Sequence, residues 1–130
     1  MKTYRVAVVG ATGLVGRTIL QVLEERNFPI EKLYLFASKR SAGKQIEFNG
    51  EKITVDELNE TNIKKQFDLV MFSAGGKISK QYAPLARKQG AIVVDNSSAW
   101  RMDDSVPLIV PEVNSNEVNN HQGIIANPNC

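Results

Sequence analysis

One hundred and thirty residues, 42% of them hydrophobic and 23% charged, suffice to bury one core, so a single domain over residues 1–130 is expected. A formal net charge of +2 gives no electrostatic ground for a nucleic-acid partner, and no apolar run nears the roughly 20 residues of a spanning helix. One cysteine allows no internal disulfide, one Cys and one His in unrelated contexts make no metal site, and the N-terminus lacks a leader pattern, so a soluble, cytoplasmic protein is expected.

Tyr4-Arg-Val-Ala-Val-Val9 is β-branched and too short for a helix, so it reads as a buried strand. Beyond it, Leu14, Val15, Ile19, Leu20, Val22 and Leu23 recur at helical spacing on one broad face before Glu24, Glu25 and Arg26 turn polar. Between strand and helix lies Gly10-Ala-Thr-Gly13-Leu-Val-Gly16, a G-x-x-G-x-x-G turn one residue longer in its first gap than the commoner dinucleotide fingerprint. In this context one glycine permits the tight turn, one lets backbone N–H groups approach a pyrophosphate, and one lets helix and strand pack closely. The pyrophosphate is then expected at the helix N-terminus, where unpaired donors meet the positive end of the dipole. A plain structural turn is the competing reading.

Asn27-Phe-Pro29 breaks the chain, and Leu33–Ala37 is expected as a second strand. Its end is the place where an NAD-specific fold presents a carboxylate to the ribose 2′-hydroxyl. Here stand Ser38, Lys39, Arg40, Ser41 and Lys44, with no acid among them. A guanidinium beside hydroxyls holds a 2′-phosphate by charge-assisted hydrogen bonds, so NADP is favoured over NAD, against the plainer reading of a solvated basic loop. Asn49-Gly50 between Ile46–Phe48 and Lys52–Val55 predicts a hairpin with a type I′ turn. Residues 56–66 read as polar loop with a short helical turn.

Asp68–Phe72 is a further buried strand, followed by Ser73-Ala-Gly75-Gly76, flexible backbone where a dinucleotide lies or simply a helix-start loop. The next helix places Ile78, Tyr82, Leu85 and Ala86 on one face, is expected to be kinked or shortened by Pro84, and ends at Gly90. Ala91–Val94 gives another strand. Strands and helices thus alternate, which predicts an α/β, Rossmann-type, doubly wound and mostly parallel sheet with a small antiparallel excursion.

Polar residues 95–104 follow a strand end, which makes Asn96, Ser97, Ser98 and Arg101 candidate ligand groups; Trp100 and His121 receive no role. Pro107–Asn114 reads as an edge strand or crossing loop, and Gly123–Ala126 as a strand-like run before Asn127-Pro-Asn-Cys130. A cysteine at a helix N-terminus is favoured as thiolate, and one facing a nicotinamide suggests thioester chemistry on an aldehyde. An unreactive buried thiol is the alternative.

Together, Gly10–Gly16, Ser38–Ser41, Phe72–Gly76, Asp95–Arg101, Val110–Asn114 and Asn127–Cys130 closely resemble the aspartate-semialdehyde dehydrogenase family, in its Gram-positive-like branch, over nearly the whole chain. The resemblance implies NADP-dependent reductive dephosphorylation of L-aspartyl-4-phosphate to aspartate semialdehyde, a step towards lysine, threonine, methionine and diaminopimelate. It further implies Cys130 as nucleophile, Asn129 orienting the substrate, Arg101 binding its phosphate with Asn96 nearby, and Thr12, Gly13, Leu14 and Val15 at the pyrophosphate between Gly10 and Gly16. Arg40 and Ser41 match the 2′-phosphate site, with Ser38 a further cofactor-binding candidate, and Ser73, Ala74, Gly75 and Gly76 a loop beside the nicotinamide half. In the family, the acid/base histidine and the groups for the amino-acid part lie after the cysteine. A catalytic and dimerisation domain is therefore expected after residue 130 in a full-length homo-oligomer, with these 130 residues inactive alone. The alternatives are N-acetyl-glutamyl-phosphate reductase, whose cysteine typically follows a glycine rather than Asn129, and a non-catalytic nucleotide-binding or redox-sensing module.

Overall fold

The β-branched run Tyr4–Val9 forms β1, the middle strand of a seven-stranded sheet, in the computed structural model, which describes residues 3–96 and 124–126. In chain order follow α1 (Leu14–Glu25), β2 (Ile30–Ala37), β3 (Gln45–Phe48), β4 (Glu51–Glu57), α2 (Glu60–Ile63), β5 (Leu69–Phe72), α3 (Gly76–Lys88), β6 (Ile92–Asp95) and β7 (Ile124–Ala126). The sheet order is β3-β4-β2-β1-β5-β6-β7, and every neighbouring pair is parallel except β3–β4. This is the doubly wound α/β sheet with its antiparallel excursion that the sequence predicts. The chain turns one way from β1 to β2 and the other way to β5, so the switch point lies between β1 and β5.

Alternation along β1 divides the core. Ala7 and Val9 face α3 with Phe36, Val70, Phe72 and Val93, while Val6 and Val8 face α1 with Leu33, Leu35 and Val55. Both faces are covered, which is why the central strands are apolar runs rather than alternating ones. Full burial of a side chain such as Phe36 or Leu35 contributes about 1.5–3 kcal/mol.

Both long helices end as their sequences require. After α1, Asn27 takes φ 51° while Phe28 N–H reaches Leu23 O (3.1 Å) and Asn27 N–H reaches Glu24 O (3.1 Å); Gly90 and Ala91 repeat the motif after α3. Asn49 and Gly50, at φ 50° and 82°, form the expected I′ hairpin, and Glu24 accepts the Asn49 N–H at 2.6 Å, tying the turn to α1. In residues 56–66, Asn59 caps the short α2 by accepting from the Asn62 N–H at 2.8 Å.

Three expectations need correction. β2 begins at Ile30, because Ile30 pairs with Tyr4 and lengthens the strand by three residues. The apolar face of α1 is narrower than its sequence suggests: Leu20 and Leu23 are buried, whereas Leu14 is 84% exposed and Val15 and Val22 lie open. Pro84 neither ends nor shortens α3, which runs unbroken to Lys88. Pro84 lacks only the N–H that would bond the carbonyl of Lys80, an exposed residue.

Candidate functional site

At the carboxyl edge of the sheet, three strand ends finish in one row. Gly10 N–H donates to Phe36 O at 2.8 Å, Ser73 N–H to Val9 O at 2.9 Å, and Asn96 N–H to Phe72 O at 2.9 Å. Gly10, Ser73 and Asn96 are therefore the last rungs of β1, β5 and β6, on the edge where open α/β sheets bind their ligands.

The three turn glycines divide their work. Gly10, at φ 85°, has Ser73 so close that a Cβ would stand 2.9 Å from that residue's carbonyl group. Gly16 is buried, and a Cβ there would lie 2.1 Å from Gly10 O, so the helix start rests directly on the turn. Gly13 is exposed and meets only Gly10 O at 3.6 Å. It occupies the N-cap of α1 with no side-chain cap, and the first intrahelical acceptor beyond the turn serves Arg17 N–H, at 3.0 Å. Among the described residues, the first-turn N–H groups of Leu14, Val15 and Gly16 have no intrahelical acceptor and stand at the positive end of the helix dipole. Gly10 and Gly16 supply close packing, and Gly13 leaves the approach open.

A cavity of about 330 Å³ opens beside this turn, lined by Val9, Gly10, Thr12, Gly13, Ala37, Ser38, Leu58, Ser73, Ala74, Ile78 and Tyr82. It joins six of the residues selected from sequence: Gly10, Thr12, Gly13, Ser38, Ser73 and Ala74. Ser73 donates its hydroxyl to Val9 O at 2.9 Å, so this group fastens β5 to β1 at the switch point. Leu14, Val15 and Gly16 form the adjoining first turn of α1, and Gly75 (φ 92°) and Gly76 open α3; none of these five lines the cavity. Arg40 is exposed and Ser41 half-buried in the turn after β2, just beyond Ser38, where Ser41 N–H bonds Ser38 O at 2.9 Å. Asn96 shares the edge without lining the cavity. Arg101, Asn129 and Cys130, with Ser97 and Ser98, lie outside the described residues.

Sequence reasoning missed five wall residues: Val9 and Ala37, which read only as strand residues, and Leu58, Ile78 and Tyr82. Leu58 sits in a segment that reads as polar loop, yet its N–H bonds Ala37 O at 2.7 Å and brings the side chain beside the end of β2. Ile78 and Tyr82 read as core positions; both are half-buried, packed on the core and open to the cavity. A second cavity, of about 350 Å³ between α1 and β3, includes no residue of the glycine turn.

Comparison with known proteins agrees with this geometry. Residues 5–121 match the family model described as semialdehyde dehydrogenase, NAD binding domain. The aspartate-semialdehyde dehydrogenase of Aquifex aeolicus is 60% identical over 129 residues, and that of Bacillus subtilis 53% over 125, covering 98% and 96% of this chain but only 38% and 36% of theirs. The chain thus spans under two fifths of the length of these relatives. Among solved structures, aspartate semialdehyde dehydrogenase II of Vibrio cholerae complexed with ASA superposes with a TM-score of 0.91 at 47% identity, over 99% of this chain and 42% of that one. The Candida albicans enzyme, solved with NADP, gives 0.74 at 26% identity, over 98% and 43%. The match of the family model over most of the chain, on a doubly wound sheet with this glycine turn, shows that the chain belongs to the semialdehyde dehydrogenase family, whose NAD-binding domain it carries.

Proposed function

We propose that these residues form the NADP-binding part of an aspartate-semialdehyde dehydrogenase. The observation that carries this reading is the uncapped N-terminus of α1 opening, through Gly10–Gly16, onto the cavity at the β1/β5 switch point. The pyrophosphate would take the first-turn N–H groups, and the adenosine would fill the cavity between Ala37, Leu58, Ala74, Ile78 and Tyr82. That arrangement favours the adenosine side for Ser73 and Ala74, whereas the resemblance alone put their loop beside the nicotinamide half. Arg40, with Ser38 and Ser41, would pair the 2′-phosphate; no carboxylate stands among residues 38–44 to repel it. The Candida albicans relative solved with NADP supports the same cofactor.

The chemistry proposed runs through Cys130. Its thiolate attacks the acyl carbon of the aspartyl phosphate, the C–O bond to phosphate breaks, and a thioester forms while Arg101 holds the departing phosphate. The hydride that reduces this thioester would come from bound NADPH, the C–S bond then breaking to release the semialdehyde and return Cys130 as thiolate. Asn129 orients the carbonyl, and Asn96 stands on the substrate side of the edge. Support for Cys130 comes from connectivity: Ala126 pairs with Asp95 at the end of β7, and Cys130 follows four residues later, a reach of at most about 14 Å. The relatives named above are aspartate-semialdehyde dehydrogenases, which favours this substrate over an N-acetyl-glutamyl phosphate.

The test replaces the matching 38% of the Aquifex aeolicus relative by this chain and follows NADPH formation from aspartate semialdehyde, phosphate and NADP. The chimera is expected to turn over, and Cys130→Ala to lower kcat by at least about 10³-fold with NADP still bound. A Cys130→Ala chimera that keeps its rate contradicts the nucleophile. The 130 residues alone are expected to bind NADP and form no NADPH above the Cys130→Ala control.

A further inference from the structure

Asp95 and Ser79 are both fully buried, and the Ser79 hydroxyl donates to Asp95 Oδ2 at 2.8 Å. Neither belongs to the cavity wall, and neither is explained by core packing. Asp95 is the last residue of β6, paired with Phe72 on one side and Ala126 on the other. Its side chain joins the face built from Phe72, Val93 and Ala83, where an apolar residue avoids the desolvation of a carboxyl group. A carboxyl retained there needs a reason other than stability.

Position supplies it. Ser79 lies one turn into α3, next to Ile78 and one turn before Tyr82, the two residues by which this helix walls the cavity. Asp95 directly precedes Asn96, the last rung of β6. The Ser79–Asp95 hydrogen bond therefore joins the helix that shapes the cofactor cavity to the strand end that presents Asn96, with the carboxyl at the helix's amino end, where the dipole favours it.

We propose that the Ser79–Asp95 bond is a positioning device, fixing Asn96 against the α3 wall so that the phosphate-binding side of the cleft keeps its geometry. Neither residue lines the cavity, and the pair acts through Asn96. This rests on the dehydrogenase reading for the identity of the ligands, but the geometric part stands without it.

The test uses the 15N-labelled chain and its Ser79→Ala and Ser79→Thr variants, with NADP and inorganic phosphate as probes. Ser79→Ala is expected to shift the Asn96 backbone amide resonance in the ligand-free chain and to weaken phosphate binding, in the presence of saturating NADP, about fivefold or more. The NADP Kd should stay within twofold, and Ser79→Thr, which keeps the hydroxyl, should restore phosphate binding. A merely structural role predicts that both ligands weaken together, and that result, or an unmoved Asn96 amide, overturns the proposal. If wild-type chain binds neither probe, the dehydrogenase reading fails while the Asn96 amide still decides the positioning. If Ser79→Ala does not fold, hydrogen exchange in the unaltered chain decides: Asn96 N–H should be protected as strongly as the amides of Ser79–Ala86, and faster exchange by tenfold or more overturns the proposal.

Discussion

Gly16→Ala is expected to destabilise the fold by about 3 kcal/mol or more and to lower Tm by roughly 10 °C, measured by urea and thermal unfolding. The reason is backbone against backbone. A Cβ at position 16 stands 2.1 Å from Gly10 O and 2.9 Å from the Cα of Ala11, and neither atom has a rotamer to move into. Relief requires α1 to lift from the turn, which loosens Leu20 and Leu23 from the core on that face. Domains of this size hold only about 5–15 kcal/mol in reserve, so the loss is a large share of the whole. Gly13→Ala is the control. Its φ of −79° suits any residue and its nearest atom is at 3.6 Å, so it should cost less than about 1 kcal/mol. Equal losses at the two positions contradict the division of labour among the glycines.

Arg40→Ala is expected to lower NADP affinity by roughly 10- to 150-fold while NAD affinity changes less than twofold, both by calorimetry. A charge-assisted hydrogen bond to a phosphate contributes about 1.5–3 kcal/mol, and only NADP carries that phosphate. Arg40 is exposed and outside the core, so the variant should unfold at the same temperature as the parent. An unchanged NADP-to-NAD ratio removes Arg40 from the 2′-phosphate site.

Much of the fold was legible because its signals are local. Strand β1, the glycine turn, α1 and the Asn49-Gly50 hairpin each announce themselves through β-branching, φ demands or periodicity, and the structure has them where expected. What escaped was set by tertiary pairing. Ile30 joins β2 because Tyr4 is there to pair with it, and no residue in Asn27–Ile30 says so. Leu14 and Val15 match the apolar period of α1, but they lie in its first turn and the fold leaves them open. Helix α3 shows the same limit: Ser79, Ala83 and Ala86 are its fully buried positions, a serine among them because Asp95 waits across the interface.

The site divides along the same line. Gly10, Thr12 and Gly13 were readable from their own segment, and Ser38, Ser73 and Ala74 from standing at strand ends. Leu58 was not, since its place depends on the bond to Ala37 O rather than on any pattern around it. Tyr82 was readable as apolar-face helix but not as wall, because one ring serves both the core and the cavity.

The most direct measurement is calorimetric titration of the chain with NADP and with NAD under identical conditions. Saturable binding of one NADP per chain, at least about tenfold tighter than NAD, is the expected result. A folded chain that gives no binding heat with either dinucleotide at millimolar concentration contradicts the assignment of Gly10–Gly16 as a dinucleotide site.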